Sequence, residues 1–201
     1  GYTLTTGGNG TSTTFSGVAS GTGGLTKAGS GTLTLDGSNT YTGSTTVSVG
    51  TLDVTGSLAS SVIGVSDGAT LKVDGSSLGD TTSAVTLTGT GDMTLAGNET
   101  IGSLAGAGTV TNGGYTLTTG GNGTSTTFSG VASGTGGLTK AGSGTLTLDG
   151  SNTYTGSTTI LAGILEISAD SGIGNSSGGL ILNGGTLAIT DDISSSRTVS
   201  L

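Results

Sequence analysis

The stretch GLTKAGSGTLTLDGSNTYTGSTTVSVGTLDV, residues Gly24 to Val54, decides the fold of this chain. It returns at Gly137 to Ile167 with changes only near its end. The identity is wider than this window, because residues 1–46 recur letter for letter as residues 114–159, an offset of 113. Self-similarity at a fixed offset predicts a repeat architecture in which like units stack on one another.

Within the stretch, pairs of apolar residues separated by one polar residue recur at steps of 19 residues. The pairs predicted to point inward are Leu33 and Leu35, Leu52 and Val54, Leu71 and Val73, Leu146 and Leu148, and Leu165 and Ile167. Alternation of period two marks a strand with one buried face. Short strands that return after Gly, Asn and Ser turns predict an all-β fold, a parallel β-helix of about ten coils of roughly 19–22 residues.

The composition suits such a solenoid better than a globule. Only 30% of the 201 residues are hydrophobic, with two Phe and no Trp, whereas each coil of a solenoid needs few inward side chains. The 44 Gly residues would also allow a disordered linker, but the regular Val, Ile and Leu alternation argues against disorder. We expect one β-helix segment over residues 1–201, with repeat copies 1–113 and 114–201 and the second copy truncated. Because the chain opens inside a repeat unit, we expect a segment of a longer protein.

Charge and residue usage exclude several classes of function. The chain has no Cys and no His, so disulfides, thiolate sites, imidazole metal ligands and histidine triads are excluded. A net charge of -8 with four basic residues leaves no cationic surface for nucleic acid. No apolar run approaches the length of a membrane span, so we expect no direct insertion into a membrane. No cofactor is expected.

Catalytic patterns are weak. Lys27 with Ser30, repeated as Lys140 with Ser143, forms a formal Ser-Lys dyad, but a turn with the lysine stem lying on the rod surface explains the motif better. The acids are scattered, and the single-copy middle holds only the loose group Asp67, Asp74, Asp80 and Asp92. Residues 7–11 lack the aspartate that a calcium-binding nonapeptide requires. We therefore expect no enzyme.

Several residues are expected to have structural roles. Asn39 and Asn152 are predicted to order turns through their side-chain amides, and Phe15 is predicted to fill a corner from inside. Tyr41 and Tyr154 are predicted to pack in corners, with a sugar-stacking platform as the alternative.

Stacking also predicts an outward ladder on the rod. If Leu33, Leu52 and Leu71 are equivalent, then Asp53 lies directly beside Lys72. Such an exposed pair contributes at most about 1 kcal/mol, but it tests the 19-residue register.

The repeated stretch resembles the passenger-associated transport repeat, also called the autotransporter-associated β-strand repeat. The matching elements are Gly-Leu-Thr-Lys at 24–27, Gly-Thr-Leu at 31–33 and 50–52, and Asn-Thr-Tyr-Thr-Gly at 39–43. The tail, with Arg-Thr-Val at 197–199, is similar to the segment that comes after this repeat in such passengers. The resemblance implies a right-handed parallel β-helix in the surface-exposed passenger of a Gram-negative autotransporter, with an outer-membrane β-barrel translocator as partner.

The function implied is a structural stalk or scaffold of a secreted, extracellular adhesin on the bacterial cell surface. A uniform chain without cysteine could cross a narrow pore unfolded and fold coil by coil outside, which would assist export. The alternatives are a subunit of a self-assembling extracellular filament or matrix fibre of the kind found in biofilms, which would contact itself end to end, and, more remotely, a carbohydrate-active β-helix enzyme. A host or matrix surface is a further candidate partner.

Overall fold

A computed structural model describes residues 1–75, 77–78 and 81–201. These residues form 25 short parallel strands and a single 3₁₀ turn, η1, at Asp170–Ile173. Frequent Gly and Ser turns keep each strand to two to four residues. No helix within the described ranges is long and apolar enough to cross a membrane.

The strands, numbered in chain order, lie on three faces of a triangular coil. Face A is one ten-stranded parallel sheet with one strand per coil, so the chain makes ten coils. Its strands are β1 (Leu4–Thr6), β3 (Leu25–Lys27), β6 (Thr45–Val47), β9 (Val62–Val65), β11 (Ala84–Leu87), β14 (Ser103–Gly106), β17 (Thr126–Phe128), β20 (Thr145–Leu148), β22 (Ile164–Ile167) and β24 (Thr186–Ile189).

Faces B and C complete the coil. Face B contains β2 (Thr13–Phe15), β4 (Thr32–Leu35), β7 (Thr51–Val54), β10 (Thr70–Val73), β12 (Asp92–Leu95), β15 (Thr109–Thr111) and β18 (Val131–Ser133). Face C contains β5 (Ser38–Asn39), β8 (Ser57–Leu58), β13 (Glu99–Ile101), β16 (Leu117–Thr119), β19 (Leu138–Lys140), β21 (Thr158–Ile160), β23 (Leu180–Leu182) and β25 (Val199–Ser200). An isolated bridge from Leu58 to Leu78 continues face C between β8 and β13.

Strand register follows the apolar pairs. Leu33 pairs with Leu52 and Leu52 with Leu71, each a step of 19 residues. The step shortens to 17 residues between Met93 and Val110 and lengthens to 22 between Leu165 and Leu187, because the turns absorb the difference. The prediction of an all-β parallel solenoid of about ten coils is confirmed.

A single apolar core runs along the axis of the coil. Every member of the five predicted apolar pairs is buried, and the polar residue between them faces outward. Full burial of a Leu or Val side chain contributes about 1.5–3 kcal/mol. A few such side chains per coil therefore already stabilise the coil by several times that amount. Neighbouring coils cover the rest, which explains how a chain so poor in large apolar residues has a core.

The two copies of the repeat occupy different faces. The strand LTK lies on face A as β3 and on face C as β19, and the strand TLTL lies on face B as β4 and on face A as β20. From β3 the chain makes five complete coils to β17 and then crosses β18 to reach β19. The 113-residue offset therefore spans five coils plus two faces, and identical sequences point in directions a third of a turn apart.

The first coil departs from one prediction. Phe15, expected as an inward filler, is 41% exposed, whereas its copy Phe128 is fully buried. The two phenylalanines have the same sequence neighbours, and they differ in what lies beneath them: Phe128 has the strand β14 below it, and Phe15 has no strand there among the described residues.

Candidate functional site: the buried corners of the repeat

The residues that recur in both copies gather at two buried corners. We call the turn after β3 or β19 the lysine corner, and the turn around Asn39 or Asn152 the asparagine corner. Both corners have the same contacts in the two copies although they lie on different faces. The local sequence therefore determines these contacts independently of position around the axis.

At the lysine corner the side chain lies inside the rod. Lys27 is fully buried, and its Nζ donates to the carbonyl oxygens of Ala28 at 3.0 Å, Gly29 at 2.7 Å and Val49 at 3.1 Å. Val49 belongs to the next coil, so the ammonium joins two coils. The prediction that the lysine stem lies on the rod surface is wrong, because the turn carbonyls converge inward and would otherwise lack donors.

Lys140 repeats this arrangement in the second copy. Its Nζ donates to the carbonyls of Ala141 at 2.5 Å, Gly142 at 2.9 Å and Ala162 at 3.3 Å. Burial lowers the pKa of both lysines, because no solvent stabilises the charge. All three acceptors of each ammonium are carbonyls, and no serine hydroxyl is among them in the described structure, which leaves no Ser-Lys dyad.

Glycine allows the lysine corner to be tight. Gly142 has a φ of 64°, and a Cβ built there would overlap the carbonyl oxygen of Gly120 in the coil below. Only glycine combines this left-handed conformation with so close a backbone approach. The Lys-Ala-Gly order of the motif therefore has a steric cause as well as a polar one.

The asparagine corner links three successive coils through one amide. Asn152 Oδ1 accepts from the Ala132 N–H at 2.7 Å, while Nδ2 donates to the carbonyls of Gly150 at 3.3 Å and Gly172 at 2.7 Å. Asn39 makes the equivalent contacts with Ala19, Gly37 and Ser57. The side chain thus supplies one acceptor and two donors to backbone groups of three successive coils.

A tyrosine completes each asparagine corner. Tyr154 is fully buried, and its hydroxyl lies 2.6 Å from Thr158 Oγ1, which itself donates to the Ile173 carbonyl at 3.2 Å. Because the threonine proton is used there, the tyrosine donates to the threonine. Burial raises the pKa of Tyr41 and of Tyr154 to about 12. Both rings pack in corners and are not accessible as sugar-stacking platforms.

The outward ladder lies on face B. Thr34, Asp53 and Lys72 follow one another in register, and Lys72 Nζ lies 3.0 Å from Asp53 Oδ2. The lysine side chain is 41% exposed, so solvent screens the pair. The structure brings these two charges together on one face, at the 19-residue spacing.

Two acids of the single-copy middle, Asp67 and Asp92, accept hydrogen bonds from threonines. Asp67 Oδ1 accepts from the N–H and the hydroxyl of Thr90, which lowers the pKa of this carboxyl. Asp92 accepts from the hydroxyls of Thr94 and Thr109 at 2.5 and 2.6 Å. Asp80 lies outside the described residues. Within the described chain no three acidic, His or Cys side chains are grouped so as to hold a metal ion.

Two structural residues were missed by reasoning from the sequence. Glu99 is buried and accepts from the Ser77 N–H and hydroxyl and from the N–H groups of Leu78 and Thr100, and no cation of the described residues pairs with it. Burial raises the pKa of its carboxyl. Glu99 lies two positions before the inward strand residue Ile101, and this spacing was the signal available, since period two turns both side chains inward.

Arg197 binds the turn that contains η1. Its guanidinium lies 2.8 Å from Asp170 Oδ1 and also donates to the carbonyls of Asp170, Gly174, Asn175 and Gly178. The side chain is almost completely buried. The hydrogen bond from Arg197 lowers the pKa of Asp170.

Comparison with known proteins agrees with this geometry. The passenger-associated-transport-repeat family matches residues 25–54 and 138–167, the segments that carry the lysine and asparagine corners. This chain contains two passenger-associated transport repeats. The resemblance seen in the sequence is confirmed, and the residues by which the repeat is recognised are those that hold its corners.

One relative of this repeat protein is the adhesin BmaC autotransporter of Brucella suis biovar 1 (strain 1330). The two are 41% identical over 193 residues, which cover 90% of this chain but 5% of the adhesin. The chain thus corresponds to a small part of that relative's length. No solved structure is significantly similar to the chain.

Proposed function

We propose that this chain is a structural stalk segment of a secreted, non-enzymatic adhesin of the autotransporter kind, displayed on the bacterial cell surface. The observation that carries the proposal is that Lys27, Asn39 and Tyr41, which define the repeat, are all buried and bonded within the rod. A repeat whose recurring side chains face inward encodes a length of rod. The similarity to an autotransporter adhesin supports the proposed location in a protein of that kind.

Electron microscopy of the purified chain over a concentration series tests the stalk. Ten coils at ~4.8 Å each make a rod of roughly 50 Å, and we expect discrete rods of that length at every concentration. Long unbranched fibres one rod wide would contradict the stalk and favour the filament subunit. Globular particles would contradict both.

We further infer that coil-by-coil folding assists export through an outer-membrane translocator. Thr118 and Thr139 are register neighbours facing outward on face C, so a cysteine at each would cross-link two coils. In the full-length protein the pair should stall passenger export under oxidising conditions, and a reductant should release it. Each single cysteine is the matched control, and unimpaired export of the oxidised pair would contradict the inference.

A further inference from the structure

Four asparagine–glycine pairs occur in the chain, at residues 9–10, 112–113, 122–123 and 183–184. This dipeptide is reactive, because the glycine has no side chain to hinder its backbone nitrogen from attacking the side-chain amide carbon of the asparagine. The attack requires a glycine N–H that is free of hydrogen bonds and an asparagine side chain that is free to rotate. The fold sets both conditions and therefore decides which of the four pairs reacts.

Two of the pairs, which are identical in the two copies of the repeat, are held by hydrogen bonds. Asn122 Oδ1 accepts from the Thr124 N–H at 3.0 Å and from its hydroxyl at 2.7 Å. The Gly123 N–H donates to the Gly120 carbonyl at 3.0 Å. The contacts around Asn9 in the first copy are the same. In both pairs the attacking nitrogen and the amide are engaged elsewhere.

A third pair is held by burial. Asn112 is 2% exposed, and its Oδ1 accepts from the Gly136 N–H of the next coil at 3.2 Å. A packed side chain that bonds to a second coil does not rotate onto the nitrogen of its own neighbour without local opening of both coils.

The fourth pair is unconstrained. Asn183 lies in the turn between β23 and β24, and its side chain is exposed. Within the described parts of the chain, the Asn183 amide has no hydrogen-bond partner and the Gly184 N–H has no acceptor. Gly184 is itself exposed and has a φ of 105°. Both conditions for the attack are therefore met at this turn.

The exposure of this pair follows from its place on the corner between faces C and A. Ile160 pairs with Leu182, so Leu161 occupies the place of Asn183 one coil earlier. Leu161 is 42% exposed although the coil of β23 and β24 lies beyond it. The N–H groups of this corner donate toward the preceding coil, as Asn183 does to Ile160 at 2.9 Å. That coil is present, and it offers Gly184 no acceptor within the described residues.

We propose that Asn183 is a modification site at which the chain deamidates spontaneously through a cyclic imide formed with Gly184. The Gly184 nitrogen bonds to Asn183 Cγ, the Cγ–Nδ2 bond breaks, and the amide nitrogen leaves as ammonia with the proton of the Gly184 N–H. Water then adds to either carbonyl carbon of the imide and opens the ring. The product is aspartate or isoaspartate, and no oxidant or reductant is consumed.

The product changes the surface of the rod at one corner. A negative charge replaces a neutral amide in a chain whose net charge is already -8. Isoaspartate also adds one methylene group to the backbone of the turn. The steps between equivalent residues already vary from 17 to 22, so we expect the turn to absorb this atom and the coils to stay stacked.

Peptide mass spectrometry after incubation of the folded chain at mildly alkaline pH tests the proposal. Tryptic peptides 1–27, 73–140 and 141–197 separate Asn9 and Asn183 from the other two pairs, which fragmentation resolves. Asn183 should gain one mass unit at least about tenfold faster than the other three, since those react only when their contacts open. Equal rates in the folded chain, or no conversion at Asn183, would overturn the proposal.

The chain unfolded in urea is the matched control for the role of the fold. All four pairs should then convert at similar rates, because every glycine N–H and every asparagine side chain is free. If Asn183 remained the fastest in urea, the local sequence would explain its reactivity and the assignment to the fold would be wrong.

Two further measurements identify the residue and the route. Asn183→Gln should abolish the mass gain in peptide 141–197, because ring closure by glutamine is slow, whereas persistence of the gain would show that Asn152 or Asn175 reacts instead. Isoaspartate at position 183 arises only from the imide, so we expect it beside aspartate and expect the rate to rise with pH as the attacking nitrogen loses its proton. Aspartate alone would overturn the imide route.

Discussion

At the residue scale, the repeat depends on polar side chains that are buried inside the rod. Lys140 and Asn152 together satisfy six backbone groups, and each links successive coils. Such residues have no substitute among apolar side chains, because a buried carbonyl without a donor costs about 1–3 kcal/mol. The recurring polar residues of the motif therefore stabilise the fold, as its leucines do.

Replacing Lys140 with Met should lower the free energy of unfolding by about 2–3 kcal/mol, because methionine keeps the volume but leaves three carbonyls without a donor. Urea denaturation measures the change. Lys72→Met is the control and should cost at most about 1 kcal/mol, since its pair is exposed. Equal effects of the two substitutions would contradict a buried ammonium.

Asn152→Asp should destabilise the chain more than Asn152→Ala does, although aspartate has almost the same shape. The reason is that a carboxylate would face the carbonyls of Gly150 and Gly172, to which the amide now donates. We expect a loss of about 2–4 kcal/mol for the aspartate variant near neutral pH. Asn183, whose side chain is exposed, provides the control, and a mild effect at Asn152 would argue against the amide bridge.

Glu99 should make stability depend on pH in a direction opposite to most carboxylates. Its pKa is raised in the folded state, so the folded chain holds the proton more tightly than the unfolded chain. This contribution is fully present below the unfolded pKa of about 4.3 and is lost as pH rises through the folded value. The melting temperature of the native chain should therefore rise relative to that of Glu99→Gln as the pH is lowered from neutral toward about 4.3. A pH-independent difference would show that Glu99 titrates normally.

At the element scale, the unit of the structure is one coil and the turns carry its variation. Steps between equivalent residues range from 17 on face B to 22 on face A, yet the neighbouring strands on both faces remain parallel. The strands are too short to be stable alone, so pairing with both neighbours holds them. A turn can thus change length without disturbing the ladder.

The turn at η1 depends on Arg197 in particular. Arg197→Lys should open residues 170–178, because a single ammonium cannot replace a guanidinium that donates to four carbonyls and a carboxylate. We expect amide exchange at Gly172, Gly174 and Gly178 to accelerate while face A stays protected. Asp192→Asn, at an exposed acid, should leave all these rates unchanged. Global acceleration would mean that the turn is not a separate unit.

At the scale of the whole molecule, the chain is a stack in which each coil contacts its neighbours. Deleting residues 52–70 removes one coil and joins Thr51 to Leu71, which occupies the register position of Leu52. The shortened chain should fold, with a rod about 5 Å shorter by X-ray scattering. Deleting residues 52–60 should prevent folding, since half a coil moves the following strands to the wrong face. Similar behaviour of both deletions would contradict independent coils.

The sequence by itself determined the period, the inward residues and the pairing of Leu33, Leu52 and Leu71, because alternation and turn chemistry act over a few residues. Only the tertiary structure decided that Lys27 is buried and that the two copies lie on different faces. The lysine lies inside because carbonyls from two coils converge on its ammonium group. No pattern within a few residues of sequence indicates that convergence. The face of each copy depends on the summed lengths of all the turns between them, and small differences of one to three residues per coil add up to a third of a turn.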